Sequence, residues 1–301
     1  AVVFSTRREL RRRIDRASAR EFPVLGDLAA EGYTDYLCAP LVFTNGEVHG
    51  AAFATRHPAG FSDAELADIR HVLRPLARIA EIFALRRVAT NLLSTYVGHD
   101  SGARILAGRI TRGDVETIRA VIWFSDLRGF TAMATTRSPS EIIEVLNELF
   151  DCQVPAIDHH GGEVLKFIGD GLLAIFPLAD DGDVATRCAD ALAAARDAFG
   201  ALDARNTKAP VAIEFGLALH VGEVAYGNIG GASRLDFTAI GTAVNLAARL
   251  EGLTGRLGRR VVLSAELAGH AGVPTVDLGT FELKGVPGAP RVFGLEGDEL
   301  R

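Results

Sequence analysis

Two short segments place carboxylates where strands end. In Phe124-Ser125-Asp126-Leu127-Arg128-Gly129-Phe130-Thr131, Asp126 closes an apolar strand and a glycine-containing turn follows. The backbone N–H groups of Gly129, Phe130 and Thr131 can face a phosphate there. In Lys166-Phe167-Ile168-Gly169-Asp170-Gly171 a second carboxylate occupies a hairpin tip. If the two strands are neighbours, both tips lie at one sheet edge. Paired carboxylates beside a phosphate cradle suit Mg²⁺ or Mn²⁺, which take oxygen ligands and leave positions for substrate phosphates. Two such ions roughly 3.5–4 Å apart stabilise the attacking and leaving oxygens of an in-line displacement. Singly, Asp126 can be a turn cap and Gly169-Asp170-Gly171 a plain hairpin, so the combination carries the reading.

A third segment runs from Phe237 to Glu251 and holds Thr238, Asn245 and Arg249. Asn245 and Arg249 are four apart and share a helix face. Their neighbours Val244, Leu246, Ala247, Ala248 and Leu250 are apolar. A polar pair on such a helix faces a partner or a cleft, or else lies on the surface near the helix end.

The elements that position these residues alternate through the second half of the chain. Apolar runs predict strands at 118–124, 164–168, 172–176, 211–221, 237–240, 261–263 and 280–283. Helical periodicity covers 138–156, 184–202 and 242–253. The order strand, helix, strand, strand, helix, strand predicts an α/β (α+β) fold of the ferredoxin-like βαββαβ type. In the first half, strands are expected at 35–41 and 47–54 around Thr44-Asn45-Gly46. Ser62 with Glu65 forms a capping-box pattern. Leu66, Ile69, Leu73, Leu76, Ala80 and Phe83 then recur at spacings of three and four. That seam fits a helix packing on its own domain, or a coiled-coil partner, with a kink expected at Pro75 and a stop near Gly98.

Taken together, Asp126, Asp170 and the 237–251 segment resemble the catalytic core of class III adenylyl and guanylyl cyclases, in that family's order. The resemblance covers about residues 115 to 296. It implies a metal set of Asp126, Leu127 and Asp170 for two Mg²⁺ or Mn²⁺ ions per site. It also implies Asn245 and Arg249 as the ribose-orienting and transition-state pair. Substrate contacts would come from Lys166, Thr238, Lys284, Gly129, Phe130 and Thr131. Lys166 with Thr238 is similar to the adenine-recognising subclass. Bottom-up chemistry agrees, because lysine donates to adenine N1, an acceptor, whereas guanine N1 carries a proton. The implied activity is adenylate cyclase, with ATP as substrate. Sites shared across a homodimer are implied too, since Lys166 and Asp170 lie on one hairpin yet serve opposite ends of ATP. Residues 1–88 resemble part of a GAF-type sensor that could take a small-molecule effector, 89–114 a connecting helix, and 115–301 the catalytic domain.

The whole chain has 301 residues, with 48% hydrophobic and 23% charged, enough for a sizeable core. A net charge of -6 argues against general nucleic-acid binding. The one basic stretch, Arg7 to Arg16, reads as a solvated helix face. Cys38, Cys152 and Cys188 show no metal spacing and read as reduced thiols, which with no spanning run or signal peptide predicts a cytoplasmic protein. Because the sequence starts at Ala1 in mid-pattern, a true N-terminus upstream is expected. Rival readings are a guanylate cyclase, an inactive nucleotide-binding or dimerisation module, and a diguanylate cyclase suggested by Gly161-Gly162-Glu163-Val164. That last phrase precedes a strand instead of capping a hairpin.

Overall fold

The computed structural model describes residues 2–231 and 233–298. It divides into two compact units, one through Asn91 and one from Leu92 onward. The first unit contains α1 (Val2–Thr6), β1 (Leu10–Arg13), α2 (Pro23–Ala30), β2 (Asp35–Val42), β3 (Val48–Thr55) and most of α3 (Asp63–Val97). Its sheet has the order β1-β2-β3. The hairpin and the Ser62/Glu65 capping box form as expected: Ser62 N donates to Glu65 at 2.7 Å and Glu65 N to Ser62 Oγ at 3.3 Å. The helix passes through Pro75 without a break and ends before Gly98, whose φ is 90°. The apolar seam divides. Leu73, Ala77 and Ala80 pack with Leu41 and Phe43 of their own unit, whereas Leu76 and Phe83 are exposed.

The basic stretch is not a helix face. Arg11 and Arg13 sit on or at the end of β1 and converge on the buried carboxylate of Asp35, at 2.7 and 3.6 Å, while Arg12 pairs with Glu21. A buried anion needs such partners, and β1 supplies them by pairing with β2.

The second unit contains α4 (His99–Leu106), β4 (Val115–Leu127), α5 (Phe130–Thr136), α6 (Pro139–His159), β5 (Glu163–Ile168), β6 (Gly171–Pro177), α7 (Val184–Asn206), β7 (Phe215–Gly230), β8 (Leu235–Ile240), α8 (Thr242–Glu251), α9 (Thr254–Leu257), β9 (Val261–Ser264), α10 (Ala265–Ala268), β10 (Thr275–Thr280) and β11 (Arg291–Leu295). The strand order β10-β11-β9-β7-β4-β6-β5, with β8 on β7, embeds the predicted ferredoxin-like arrangement. β4 is central and buried on both faces, which explains its continuous apolar run. Val121 and Trp123 face the core under α6 and α7; Ala120 and Ile122 face the opposite core with Ala243 and Ala247 of α8. The Trp123 indole donates to buried Gln153 at 3.3 Å, and Gln153 also accepts from Ser125 Oγ at 2.6 Å.

Several boundaries differ from the sequence expectations. β7 starts at Phe215, not 211, because Asn206 takes both backbone groups of Ile213, at 3.0 and 2.8 Å. It then runs unbroken to Gly230. The last hairpin pairs β10 with β11, so the strand expected at 280–283 lies earlier, at 275–280. The connecting segment breaks at Gly98, and α4 is a separate helix. All three cysteines are free thiols. Among the described residues no helix is long and apolar enough to cross a membrane.

Candidate active site

Antiparallel pairing of β4 with β6 sets Ser125 opposite Leu172. Asp126 and Asp170, the latter in the β5–β6 turn, therefore share one sheet edge, as expected for neighbouring strands. The turn approaches β4 closely: a Cβ on Gly171 would stand 2.7 Å from the Ser125 carbonyl oxygen and 3.1 Å from Asp126 Oδ1. Only glycine fits there. Burial, and then the Asp170 charge beside it, push the Asp126 carboxyl up to about 6. Leu127 donates its backbone N–H to Asp126 and buries its own side chain. Gly129 then adopts a left-handed conformation, φ 71°, at the start of α5. No side chain caps that helix, and first-turn N–H groups, including those of Phe130 and Thr131, have no intrahelical acceptor.

Two further residues at this edge were not singled out from sequence. Glu251 ends α8 and is pushed up to about 7, first by burial and then by the Asp126 charge. Arg128 is partly buried, donates to the Arg259 carbonyl at 2.6 Å, and has an Nε without a hydrogen-bond partner. A Cβ on Gly216, opposite Asp126 on β7, would stand 2.5 Å from Glu251 Oε1. The available signal was an acid in the last turn of a helix, where the macrodipole disfavours negative charge. The folded chain holds the Glu251 proton between 4.5 and about 7 and the unfolded chain does not. Wild-type stability therefore falls as pH rises through that interval. Glu251→Gln should match wild type below pH 4.5, gain stability over it progressively between 4.5 and about 7, and keep a constant advantage at higher pH, measured by urea unfolding without added metal. A difference independent of pH would contradict this.

The residues expected at the base, ribose and triphosphate lie on other elements. Lys166 Nζ lies 3.3 Å from Asp236 Oδ2, which ties β5 to β8. Thr238 of β8 is 2% exposed and its Oγ1 has no hydrogen-bond partner. Asn245 lines a cavity of about 410 Å³ with His220, Gly222, Glu223, Leu246 and Gly285. Lys284 adjoins that cavity in sequence. Asn245, Arg249 and Lys284 are exposed. Within one chain this cavity is remote from the carboxylate pair. Gly222 lines it, while Gly216 pairs with Asp126. Six residues of extended strand separate the two, about 20 Å.

The carboxylate edge suits hard divalent cations. Its donors are all oxygen, and two like charges pressed together need a counter-charge. Among the described residues no group of three or more His, Cys, Asp or Glu forms a closed metal cage. Two carboxylates suffice where a substrate's phosphates complete the coordination.

The family model described as the adenylate and guanylate cyclase catalytic domain matches residues 115–297. This chain belongs to that family. The chain is 37% identical over 167 residues to "Adenylate cyclase" of Anabaena cylindrica, covering 54% of this chain and 32% of that protein. It is 32% identical over 180 residues to "Adenylate cyclase 1" of Rhizobium meliloti (strain 1021), covering 58% and 27%. The chain thus spans about a third or less of the length of these relatives. Among solved structures, the guanylyl cyclase Cya2 superposes with a TM-score of 0.53 at 30% identity, over 62% of this chain and 99% of that one. A bacterial light-regulated adenylyl cyclase shares the fold, with a TM-score of 0.63 at 24% identity over 76% and 66%. Within the cyclase domain, Gly162 has a packing role: its Cβ would stand 2.7 Å from both Ile157 and Phe176. The Gly161-Gly162-Glu163 phrase is therefore explained without a ligand.

Proposed function

We propose that the cyclase domain converts ATP to 3′,5′-cyclic AMP and pyrophosphate, at sites shared between two copies of the chain. The observation that carries the choice of ATP is the buried Thr238 hydroxyl, left without a protein partner close to the strand of Lys166. A buried hydroxyl in that state costs about 1–3 kcal/mol, which a ligand can recover. Threonine accepts from the adenine amino group and Lys166 donates to adenine N1; guanine presents a proton at N1 instead. The two relatives carrying the name adenylate cyclase point the same way.

In this reading the ribose 3′-hydroxyl attacks the α-phosphorus and pyrophosphate leaves. Asn245 orients the ribose. The Arg249 guanidinium stands against charge developing on the transferring phosphoryl group. Lys284 and the amides of Gly129, Phe130 and Thr131 hold the phosphates. Asp126, Asp170 and the Leu127 carbonyl would hold two Mg²⁺ or Mn²⁺ ions, which lower the pKa of the hydroxyl and neutralise phosphate charge. Residues 1–88 are assigned as a sensor-like part responsive to a small molecule, and 89–114 as the connection to the catalytic residues 115–301.

The test incubates the purified chain with ATP or GTP and either metal, and quantifies both cyclic products. Cyclic AMP in excess supports the reading; cyclic GMP in excess, or no product, overturns it. Thr238→Ala is expected to raise KM for ATP about 5- to 10-fold, the equivalent of one hydrogen bond, with kcat nearly unchanged. Steady-state kinetics with both nucleotides check this, and an unaltered ATP preference would remove Thr238 from base recognition.

A further inference from the structure

One buried carboxylate outside the proposed chemistry joins three elements. Glu163 opens β5 and is buried, as are Ser101 of α4 and Tyr226 of β7. Glu163 Oε1 accepts from the Ser101 backbone N–H at 2.9 Å and from its Oγ at 2.5 Å. The other oxygen, Oε2, accepts from the Tyr226 hydroxyl at 2.6 Å. Ser101 lies in the first turn of α4, where N–H groups lack intrahelical acceptors and the helix dipole favours an anion. The helix start is seated tightly: a Cβ on Gly98 would stand 3.2 Å from the Val164 carbonyl oxygen. Further along α4, the Arg104 guanidinium lies over the Tyr226 ring, 5.0 Å from its centroid, and pairs with Glu116 of β4. Ile105 packs into the same core as Leu165, Tyr226, Phe237 and Ala239.

These contacts reach both strands that carry the base-facing residues. Glu163 is three residues before Lys166 on β5, across a β-bulge between Val164 and Lys166. Tyr226 stands opposite Ala239, and the next pair is Gly227 with Thr238. A single carboxylate thus fixes α4 to the strand of Lys166 and, through Tyr226, to the strand pair of Thr238. The carboxylates Asp126 and Asp170 are held separately, by the approach of Gly171 to Ser125.

We propose that Glu163 is a positioning residue for purine recognition, holding Lys166 and Thr238 in register through Tyr226 and the docked start of α4. This rests on the reading of Lys166 and Thr238 as the base-contacting pair. A displacement of α4 then changes nucleotide affinity and purine preference, and changes the turnover step little. The placement of α4 becomes a control over which nucleotide is bound and how tightly.

The test uses the full chain with Tyr226→Phe, Ser101→Ala and Glu163→Gln. Tyr226→Phe keeps the ring under Arg104 and removes one hydrogen bond. Glu163→Gln removes the negative charge from all three hydrogen bonds and leaves a single accepting oxygen. Tyr226→Phe is expected to raise KM for ATP about 5-fold, with kcat within about 2-fold and the ATP-over-GTP preference narrowed by a similar factor. Glu163→Gln should show the larger shift; if it does not fold, Tyr226→Phe carries the decision. Binding of 3′-deoxy-ATP and 3′-deoxy-GTP, which lack the nucleophile, is measured alongside. A wild type that forms no cyclic product, yet prefers the adenine analogue while the variants lose that preference, overturns the proposed function and supports the positioning role. Variants that melt earlier with KM, analogue affinity and preference unchanged overturn the positioning role. So does a wild type that binds both analogues equally.

Discussion

Replacing Asp170 by alanine is expected to reduce cyclic AMP formation by about a thousand-fold while leaving the chain folded. Metal-borne stabilisation of a transferring phosphoryl group is worth several kcal/mol, and each 1.36 kcal/mol is about tenfold in rate. The fold should tolerate the change, because Asp170 occupies a turn and its charge is one of the causes that push the Asp126 carboxyl up. Its removal relieves a like-charge contact, so thermal stability without metal should be equal to wild type or higher. The measurement pairs chromatographic product analysis, with Mg²⁺ and with Mn²⁺, against a melting curve. More than a tenth of wild-type activity, at saturating metal, would remove Asp170 from the metal set.

Mixing two inactive chains should restore activity. Asp126→Ala destroys a chain's carboxylate half-site; Arg249→Ala destroys its transition-state half-site. In a dimer of one of each, the site built from the intact Asp126 of one chain and the intact Arg249 of the other is complete, while the second site has lost both. Random pairing makes half the dimers mixed, each with one working site of two, so about a quarter of wild-type activity returns. Against single variants reduced about a thousand-fold, that is a recovery of a few hundred-fold. The structural basis is the separation along β7 between Gly222, at the Asn245 cavity, and Gly216, opposite Asp126, with Arg249 exposed on the Asn245 face of α8 while Glu251 turns inward to Gly216. A mixture that stays inactive, with mixed dimers demonstrated by differential tagging, would mean each chain completes its own site.

The legible parts of this molecule were those where chemistry and local structure coincide. Asp126 and the Gly169-Asp170-Gly171 turn were legible as two carboxylates that neighbouring strands would bring together, and the β4–β6 pairing does so; Asn245 and Arg249 were legible as one face of a helix. The buried central strand was legible as an unbroken apolar run. Residues whose meaning arises only across the sheet were not. Nothing near Glu251 in sequence announces that α8 ends beside Asp126, and nothing near Glu163 announces Ser101 or Tyr226, more than sixty positions away in either direction. Arg7 to Arg16 misled for the same reason: two of its charges, Arg11 and Arg13, answer Asp35, which only strand pairing brings near. The start of β7 escaped because a side chain, Asn206, satisfies backbone groups that a strand would otherwise claim.

Trp123 is the only tryptophan in the chain. It is fully buried in the middle of β4, with its indole N–H bonded to Gln153. Ultraviolet emission excited selectively at tryptophan therefore reports on the unit that begins at Leu92 and carries no direct signal from the unit before it. Far-ultraviolet circular dichroism sees both. Unfolding followed by the two probes side by side would separate the melting of the two halves without any label, and a shift of the emission on adding nucleotide would be a reading from the catalytic core itself.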